Sequence, residues 1–379
     1  MKKIAYYITA HGYGHGTRSC DILNALRIAD PEIPILVKTD LPVDFMANRL
    51  PSSIEIRAGA FDVGLIQKDS IHADVDASLE ALEKLYERET ELIAQEMHFI
   101  QEENIGVVVA DLPAIPLAAA QQAGVPTIGT SNFGWDWIYS EFVPRNPRWH
   151  YFVDKFRSVY EKTDLLLRQP FAEPMSAFTN SIDLPLLAKP GTSRRDFIAQ
   201  TTGAEPLKKW ILLSFTNLNL NKRALEQISY LDGCEIFTVE PLEWPNSDIH
   251  YLSRSLAPFS DILASCDIVV TKPGFGIVSE CIANHKPIIY SDRENFLEYP
   301  ILVEAIEKHC RQAFIPNAEL YAGQFARAIQ DVDSAPEPTK QIARGGAERA
   351  AIEILKRMHD PGETKSKLLA KLGCNHPKR

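Results

Sequence analysis

The sequence predicts an α/β protein built from two domains, each with a doubly wound parallel sheet. Short apolar runs alternate with stretches of helical periodicity along most of the chain, which is the pattern of successive βα units. This alternation stops over residues 169–205, which contain several prolines, and it restarts at Trp210. With 379 residues, the chain is also long enough for two domains of ordinary size.

These observations predict the domain boundaries. We expect an N-terminal Rossmann-like domain over residues 1–180 and a linker over 181–205. The second Rossmann-like domain is expected over 206–340, followed by a C-terminal helix over 341–358. The lysine-containing tail over 359–379 is expected to be loose.

The composition excludes several classes of protein. A hydrophobic content of 45% with 24% charged residues is that of a globular protein, and a net charge of −10 argues against nucleic acid as the main partner. No run approaches the ~20 apolar residues of a membrane span. Residues 1–3 lead directly into a strand rather than a signal peptide, so we expect a cytoplasmic protein. The six cysteines are scattered without a C-x-x-C pair, which predicts neither a zinc site nor disulfides.

The N-terminal strand, residues 3–9, leads into a loop with two histidines and three glycines, and a helix is expected to begin near Thr17 or Arg18. Glycines let the backbone approach a ligand, and histidines exchange protons near neutral pH. The carboxyl end of a parallel strand is also where open α/β sheets bind ligands. We therefore interpret this loop as functional rather than as a turn whose histidines bond locally. It reads His11-Gly12-Tyr13-Gly14-His15-Gly16-Thr17-Arg18.

The rest of the first half supplies strands, helices and an aromatic segment. A long helix is expected over 77–103, with irregular chain before it over 61–73. Asp111 directly follows a buried strand. The segment 131–139 contains Trp135 and Asp136, and its rings either contact a substrate or fill the core, two readings of about equal weight. The strands are expected over 33–37, 54–57, 105–110, 124–129 and 165–167.

The second half contains one distinctive turn. A strand over 267–270 runs into Pro273-Gly274-Phe275-Gly276 and then into a helix that carries Glu280. Backbone N–H groups at such a helix start suit a diphosphate, and a glutamate can accept from both hydroxyls of a ribose. The Pro-Gly-x-Gly pattern alone is also common in ordinary turns. Thr216 follows the strand over 210–215, and Arg293 follows the strand over 287–290.

Four segments of the chain resemble the GT-B-fold glycosyltransferases, and in particular the N-terminal, glycosyltransferase-like part of the plant-type arabinokinases. They are AYYITAHGYGHGTR, NFGWDWIY, GFGIVSE and PIIYSDRENF, and the likeness spans about residues 3–320. The resemblance implies two Rossmann-like domains facing across a cleft, and transfer of a sugar from a nucleotide diphosphate donor, most simply a UDP-sugar.

The resemblance also implies roles for individual residues. His15 would face the acceptor as the general base, with His11 as the second catalytic candidate. Departing from the family, the chain carries Ser214-Phe215-Thr216-Asn217 where GT-B second domains usually have Gly-Gly or Gly-Ser, which weakens the phosphate assignment there. By the same likeness, Gly274, Gly276 and Glu280 would hold the nucleotide diphosphate and ribose. The chemistry and position of other residues add further candidates. For the nucleotide sugar these are Phe275, Arg293 and Thr216, for the phosphate or loop they are Gly12, Gly14 and Arg18, and for the acceptor they are Trp135, Asp136 and Asp111.

Two other functions stay open at this point. Hydrolases of nucleotide sugars resemble the chain in their G-x-G-H-x-x-R loop, and a non-catalytic nucleotide-sugar-binding protein would keep the same fold.

The scheme calls for no metal and no cofactor, because the triplets 74–76 and 331–333 (Asp-Val-Asp) do not follow strands and read as carboxylates of helix starts or loops. No kinase glycine-rich signature is present. The acceptor is expected to be a small molecule, a glycan or a lipid-linked compound.

Overall fold

The computed structural model describes residues 1–66, 73–240, 242–245, 247–253, 255–293, 296–338 and 340–358. The chain divides into two compact units. The first comprises Met1–Ile66, Asp74–Leu187 and the described chain from Ala343 onwards, and the second comprises Ala188–Ile342. Each unit is a Rossmann-like domain with its own parallel sheet, which confirms the predicted fold class.

The sheet of the first unit has seven strands, every adjacent pair parallel, because each strand is followed by a crossover rather than a hairpin. Its strands are β1 (Lys3–Ile8), β2 (Ile35–Thr39), β3 (Glu55–Ala58), β4 (Ile105–Asp111), β5 (Thr127–Ser131), β6 (Leu165–Arg168) and β7 (Ser181–Asp183). The helices up to this point are α1 (Tyr13–Ala29), α2 (Val43–Ala47), α3 (Val75–Tyr86), α4 (Glu89–Glu102), α5 (Ala114–Gln122), α6 (Trp135–Ser140) and α7 (Trp149–Tyr160). The strand order is β3-β2-β1-β4-β5-β6-β7.

The sheet of the second unit has six parallel strands. They are β8 (Lys209–Ser214), β9 (Cys234–Val239), β10 (His250–Leu252), β11 (Ile268–Thr271), β12 (Ile288–Tyr290) and β13 (Gln312–Phe314). The helices are α8 (Arg195–Thr202), α9 (Lys222–Ser229), α10 (Phe259–Ser265), α11 (Phe275–Ala283), α12 (Tyr299–His309), α13 (Asn317–Tyr321) and α14 (Ala326–Ser334). The strand order is β10-β9-β8-β11-β12-β13.

The last described helix, α15 (Gly346–Met358), belongs to the first unit. Its apolar face lies in the same core cluster as the buried side of α1. The backbone approaches closely where the helix begins, because a Cβ on Gly346 would collide with the carbonyl oxygen of Pro185. The predicted C-terminal helix is therefore an integral part of the N-terminal domain.

Several elements differ from the sequence-based expectations. The helix expected from Thr17 or Arg18 begins at Tyr13, with Gly12 as its N-cap. The helix expected over 77–103 is two helices, α3 and α4, because Glu87 and Arg88 interrupt it. The expected linker over 181–205 is structured: β7 is too short to show sheet periodicity, and α8 belongs to the second unit.

The two Asp-Val-Asp triplets lie on helices. Asp74 is the N-cap of α3 and accepts from the N–H of Ala77, as a helix-start carboxylate is expected to do. Asp331 and Asp333 instead lie in the last part of α14. Within the described part of the chain, no helix is long and apolar enough to cross a membrane. The predicted tail over 359–379 lies outside the described residues.

Candidate active site

The two histidines of the N-terminal loop lie at the point where the strand order of the first sheet reverses. The strands β1 and β4 are neighbours, although β2 and β3 come between them in the chain and continue the sheet on the other side of β1. Such a switch point opens a crevice at the carboxyl ends of the strands, where α/β proteins bind ligands. His15 follows β1 in the first turn of α1, and Asp111 is the last residue of β4.

His15 and Asp111 are in contact across this switch point. Nδ1 of His15 lies 3.0 Å from Oδ1 of Asp111, and both side chains are buried, with 9% and 0% of their surface exposed. The tautomer that carries its proton on Nδ1 donates to Asp111 and leaves Nε2 as the proton acceptor. None of the described residues hydrogen-bonds to Nε2 of His15. The pair is thus the arrangement of a base with an orienting carboxylate.

Arg18 completes this cluster from the next turn of α1. Its Nε donates to Oδ2 of Asp111 at 2.6 Å, and its Nη2 donates to Oδ1 of the same carboxylate at 2.5 Å. The bidentate pair fixes the carboxylate plane. Nη2 of Arg18 also lies 2.7 Å from Nδ1 of His15, so the opposite histidine tautomer would accept from the arginine.

The charges of the cluster set its protonation states. Burial alone would raise the pKa of Asp111, but the Arg18 guanidinium and His15 outweigh burial and lower that pKa to about 2. Burial, and then the charge of Arg18, lower the pKa of His15 below its ordinary value, although Asp111 acts in the opposite direction. Near neutral pH the cluster therefore holds a neutral imidazole, a carboxylate and a guanidinium.

Arg18 also makes hydrogen bonds to the end of β5 and the residue after it. Besides Asp111, it donates to Oδ1 of Asn132 and, at 3.2 Å, to Oγ of Ser131. The structure thus gives Arg18 a positioning role toward Asp111, and its contact with a phosphate stays a prediction. Gly12 caps α1, Gly14 is exposed, and a Cβ at either glycine would meet nothing within 4 Å, so the backbone at both positions is accessible to a ligand.

His11 has a different environment from His15. Its Nδ1 accepts from the backbone N–H of Leu65 at 3.1 Å, and its ring packs edge-on against Trp135 at a centroid distance of 5.3 Å. A side chain at Gly64, whose φ is +67°, would collide with the His11 ring. His11 thus anchors the chain that follows β3, and its ring centroid lies 6.2 Å from that of His15.

The aromatic segment is part of the core. Trp135 is 1% exposed and packs against Phe133 and Tyr139 as well as His11. The structure thus favours the packing interpretation over the expected acceptor contact of Trp135. Asp136 is also buried and lies 3.7 Å from Arg157, and its expected acceptor role stays a prediction. Burial raises the pKa of Asp136.

Asp111 was expected to contact the acceptor, and the structure instead makes it the partner of His15 and Arg18. Ser131 and Asn132 were not predicted as site residues. Their position could have identified them as site residues, because they lie at the end of β5, the strand next to β4. Asp62, a half-buried residue near the same edge, was not predicted either, because it lies in irregular chain whose pattern does not indicate a site.

The nucleotide-sugar candidates share one edge of the second sheet. Thr216, Gly274 and Arg293 follow β8, β11 and β12, which are consecutive neighbours in the sheet, and the strand order reverses between β8 and β11. Gly274 is the N-cap of α11, so the positive end of this helix, where the first turn includes Phe275 and Gly276, lies at the same edge. Thr216 is exposed in this edge loop.

Glu280 and Arg293 are the two charged candidates at this edge. Glu280 lies on α11 and is 9% exposed. Arg293 donates to the carbonyl oxygen of Pro273 at 3.1 Å, lies 3.6 Å from Glu298, and stacks over the ring of Phe296. Burial lowers the pKa of Arg293, with Glu298 acting against that shift. Arg293 therefore supports the Pro273–Gly274 turn, and its direct contact with a diphosphate stays a prediction.

Among the described residues, no group of three or more His, Cys, Asp or Glu side chains is arranged to hold a metal ion.

Comparison with known proteins identifies the fold. No family model matches the chain. L-arabinokinase of Arabidopsis thaliana is 28% identical over 356 residues, which are 92% of this chain and 33% of that protein. The chain thus spans about a third of the length of this relative.

Solved structures align with both units. A UDP-glucosyltransferase from Polygonum tinctorium that can glucosylate indoxyl has a TM-score of 0.62 and 12% identity, covering 95% of this chain and 99% of its own. Phytolacca americana UGT2, in complex with UDP-2-fluoro-glucose and pterostilbene, has a TM-score of 0.61 and 12% identity, covering 98% of each chain. The chain therefore has the GT-B fold of glycosyltransferases, and the resemblance inferred from its sequence is confirmed.

Proposed function

We propose that this protein transfers a sugar from a uridine diphosphate donor to a hydroxyl group of an acceptor, with His15 as the general base. The observation that carries the proposal is the buried His15–Asp111–Arg18 cluster at the switch point of the first sheet. The similarity to proteins described as a UDP-glucosyltransferase and as a complex with UDP-2-fluoro-glucose supports the choice of donor.

In the proposed reaction, Nε2 of His15 takes the proton of the acceptor hydroxyl. The acceptor oxygen then forms a bond to the anomeric carbon, and the bond from that carbon to the diphosphate breaks, with its electron pair leaving on the nucleotide. Asp111 accepts from Nδ1–H and stabilises the imidazolium that forms. A positioned base of this kind contributes about 10²–10⁴-fold in rate.

The second unit would hold the donor at the start of α11. The N–H groups of Phe275 and Gly276 would stabilise charge on the leaving diphosphate, and Glu280 would accept from the ribose hydroxyls. The reaction as written needs no metal and no cofactor, because the diphosphate charge is met by backbone dipoles. The five described cysteines are unbonded, which supports a cytoplasmic setting.

Product analysis with UDP-sugars tests the type of reaction. The purified chain is incubated with a UDP-sugar and a panel of hydroxyl acceptors, and the products are resolved by mass spectrometry. A sugar–acceptor conjugate together with UDP is the expected result. Free sugar and UDP would show hydrolysis instead, and nucleotide binding without turnover would show a non-catalytic binding protein.

Substitution of the two histidines tests the base. His15→Ala should lower kcat by about 10²–10⁴-fold while UDP affinity, measured by calorimetry, is unchanged, because the proposed donor residues all lie in the second unit. His11→Ala should give a partial loss of kcat, because His11 anchors neighbouring chain. Near-normal kcat in His15→Ala, or an inactive His11→Ala alone, would contradict the assignment.

A further inference from the structure

A cavity of about 200 Å³ lies within the first unit, next to the His15 cluster. It is formed where β1, β2 and β3 end and where the chain leaves β4, so it shares the ligand-binding edge of the sheet. We call it the Asp62 pocket. Its lining includes His11, Asp40, Ala60, Asp62 and Pro113.

The Asp62 pocket is connected to the proposed base through His11. The His11 ring lines the pocket, and its centroid lies 6.2 Å from that of His15. Pro113 lines the opposite strand end, two residues beyond Asp111. The pocket therefore lies on the same sheet edge as His15 and neighbours it through His11.

Asp62 retains hydrogen-bonding capacity in this pocket. Its Oδ1 accepts from Oγ1 of Thr9 at 2.8 Å. Its Oδ2 is buried, and no described residue makes a hydrogen bond to it. The Trp135 indole lies close enough to affect the pKa of Asp62 but does not reach hydrogen-bond geometry with Oδ2. A buried polar atom of this kind is costly unless a ligand or water satisfies it.

We propose that the Asp62 pocket binds the acceptor of the transfer reaction, and that this acceptor is a small, neutral, polyhydroxylated compound of the size of a monosaccharide or cyclic polyol. This inference rests on the proposed function, because it names the substrate class of the same site. The hydroxyls would donate to Asp62 and Asp40.

The volume of the Asp62 pocket and the charges of its lining residues favour a small, neutral, polyhydroxylated compound. The volume of 200 Å³ is below the range of about 300–1,000 Å³ typical of pockets for drug-sized ligands, so a bulky aglycone does not fit. The pocket carries two carboxyl groups, and none of its described lining residues is Lys or Arg, which disfavours a phosphorylated or carboxylated acceptor. The large rings near His15, Phe133 and Trp135, are 6% and 1% exposed and are used in packing rather than for stacking on a flat acceptor.

The protonation of Asp62 fits a neutral ligand better than a cation. Burial raises the pKa of Asp62 to about 7, with the charge of Asp111 acting in the same direction and Thr9 and Trp135 acting against it. Near neutral pH the carboxyl group is thus partly protonated and offers both a donor and an acceptor, as a hydroxyl partner requires.

Ligand-observed NMR on the full chain tests the proposal without any donor. Saturation-transfer difference spectra are recorded with myo-inositol, D-glucose, D-xylose, L-arabinose and glycerol, and with glucosamine and a flat phenol as comparisons. At least one neutral polyol should bind. Ala60→Leu, at an exposed position on the pocket wall, should weaken that binding at least tenfold by filling the cavity, and Asp62→Asn should weaken it by a similar factor.

The matched control is Asp44→Asn, which removes an exposed carboxylate from α2 outside the pocket and should leave polyol binding within twofold. Binding that Ala60→Leu does not change, binding of glucosamine or the phenol alone, or no binding of any polyol would overturn the proposal. Calorimetric titration of the same samples with UDP separates the pocket assignment from the proposed transferase function. Polyol binding without UDP binding or turnover would overturn the proposed transferase function and keep the pocket assignment.

Discussion

Two histidines four positions apart are distinguished by what lies against Nδ1. In His15 this atom faces a carboxylate whose ionised form is held by Arg18, so Nε2 becomes the better proton acceptor. In His11 the same atom accepts from the Leu65 backbone, so the ring proton lies on Nε2. The tautomer of His15 that donates to Asp111 is therefore opposite to that of His11, and it is the one that suits a general base.

Asp62 predicts a pH dependence of stability. Its pKa is about 7 in the folded protein, against an ordinary value near 3.8. Because the folded pKa is the higher one, this carboxyl group favours the folded state most below about pH 4, and that stabilisation is lost as pH rises to about 7. The loss amounts to at most about 4 kcal/mol at 1.36 kcal/mol per pKa unit.

Asp62→Asn removes this titration and should change the pH dependence. The free energy of unfolding of the variant, relative to the parent, should rise by up to about 4 kcal/mol between pH about 4 and about 8. Urea unfolding of both proteins at the two pH values measures this change, in which pH-independent effects of the asparagine cancel. Asp44→Asn is the control, and parallel pH profiles for Asp62→Asn and parent would contradict the raised pKa.

At the scale of single elements, the start of α11 carries the donor hypothesis. Glu280 lies on this helix, buried to 9% exposure, in the same unit as the Gly274 cap. Glu280→Ala should weaken UDP binding by about 10–100-fold, the effect of losing hydrogen bonds to a charged group. Calorimetric titration with UDP measures it. The neighbouring Ser279→Ala should bind UDP like the parent, and undiminished affinity of Glu280→Ala would place the nucleotide elsewhere.

The helix α1 shows where local sequence patterns stop being informative. Three glycines between residues 12 and 16 predicted a loop, yet only Gly12 lies before the helix. A tertiary contact explains the glycine inside the helix, because a Cβ at Gly16 would lie 2.5 Å from the Phe45 ring and 2.7 Å from Leu41. Gly16 is therefore required for packing, not for a turn. The sequence has no local signal for a contact with residues 25 or more positions away.

A pair of glycine substitutions tests this explanation. Gly16→Ala should destabilise the protein by about 1–3 kcal/mol, because the added methyl group overpacks the contact with Phe45 and Leu41. Gly14→Ala should be neutral or slightly stabilising, since its Cβ meets nothing within 4 Å and alanine favours the helix. Thermal unfolding of both variants gives the comparison. Equal effects at the two positions would contradict the packing role of Gly16.

At the scale of the whole molecule, the alternation of strands and helices was sufficient to predict two parallel-sheet domains. The rule that ligands bind at the carboxyl ends of parallel strands was sufficient to choose candidate residues in each of the two domains. The Asp111 partnership with His15 joins positions 96 residues apart and was not predictable from spacing alone. The return of the chain to the first unit was missed for the same reason. The sequence of a helix that follows the second domain does not indicate the surface on which that helix packs.

The contribution of α15 gives the last prediction. Its buried face comprises Ala347, Ala350, Ala351, Ile354 and Leu355. Burial of the two large aliphatic side chains contributes about 1.5–3 kcal/mol each, and the alanines and the α1 surface that α15 covers add to this. The sum is comparable with the total stability of a domain, about 5–15 kcal/mol. Removal of the helix should therefore unfold the first unit.

A chain terminated after Ile342 tests this, with a chain terminated after Met358 as the control. Hydrogen exchange followed by mass spectrometry should show that amides of β1, β4 and α1 lose protection in the shorter chain. Amides of β8 and β11 should keep it, because these strands and their core cluster belong to the second unit. UDP affinity should stay within about twofold of the control if the donor residues act as proposed, while turnover is lost with the His15 cluster. Retained protection in β1 and β4 would show that α15 is dispensable for the fold of the first unit.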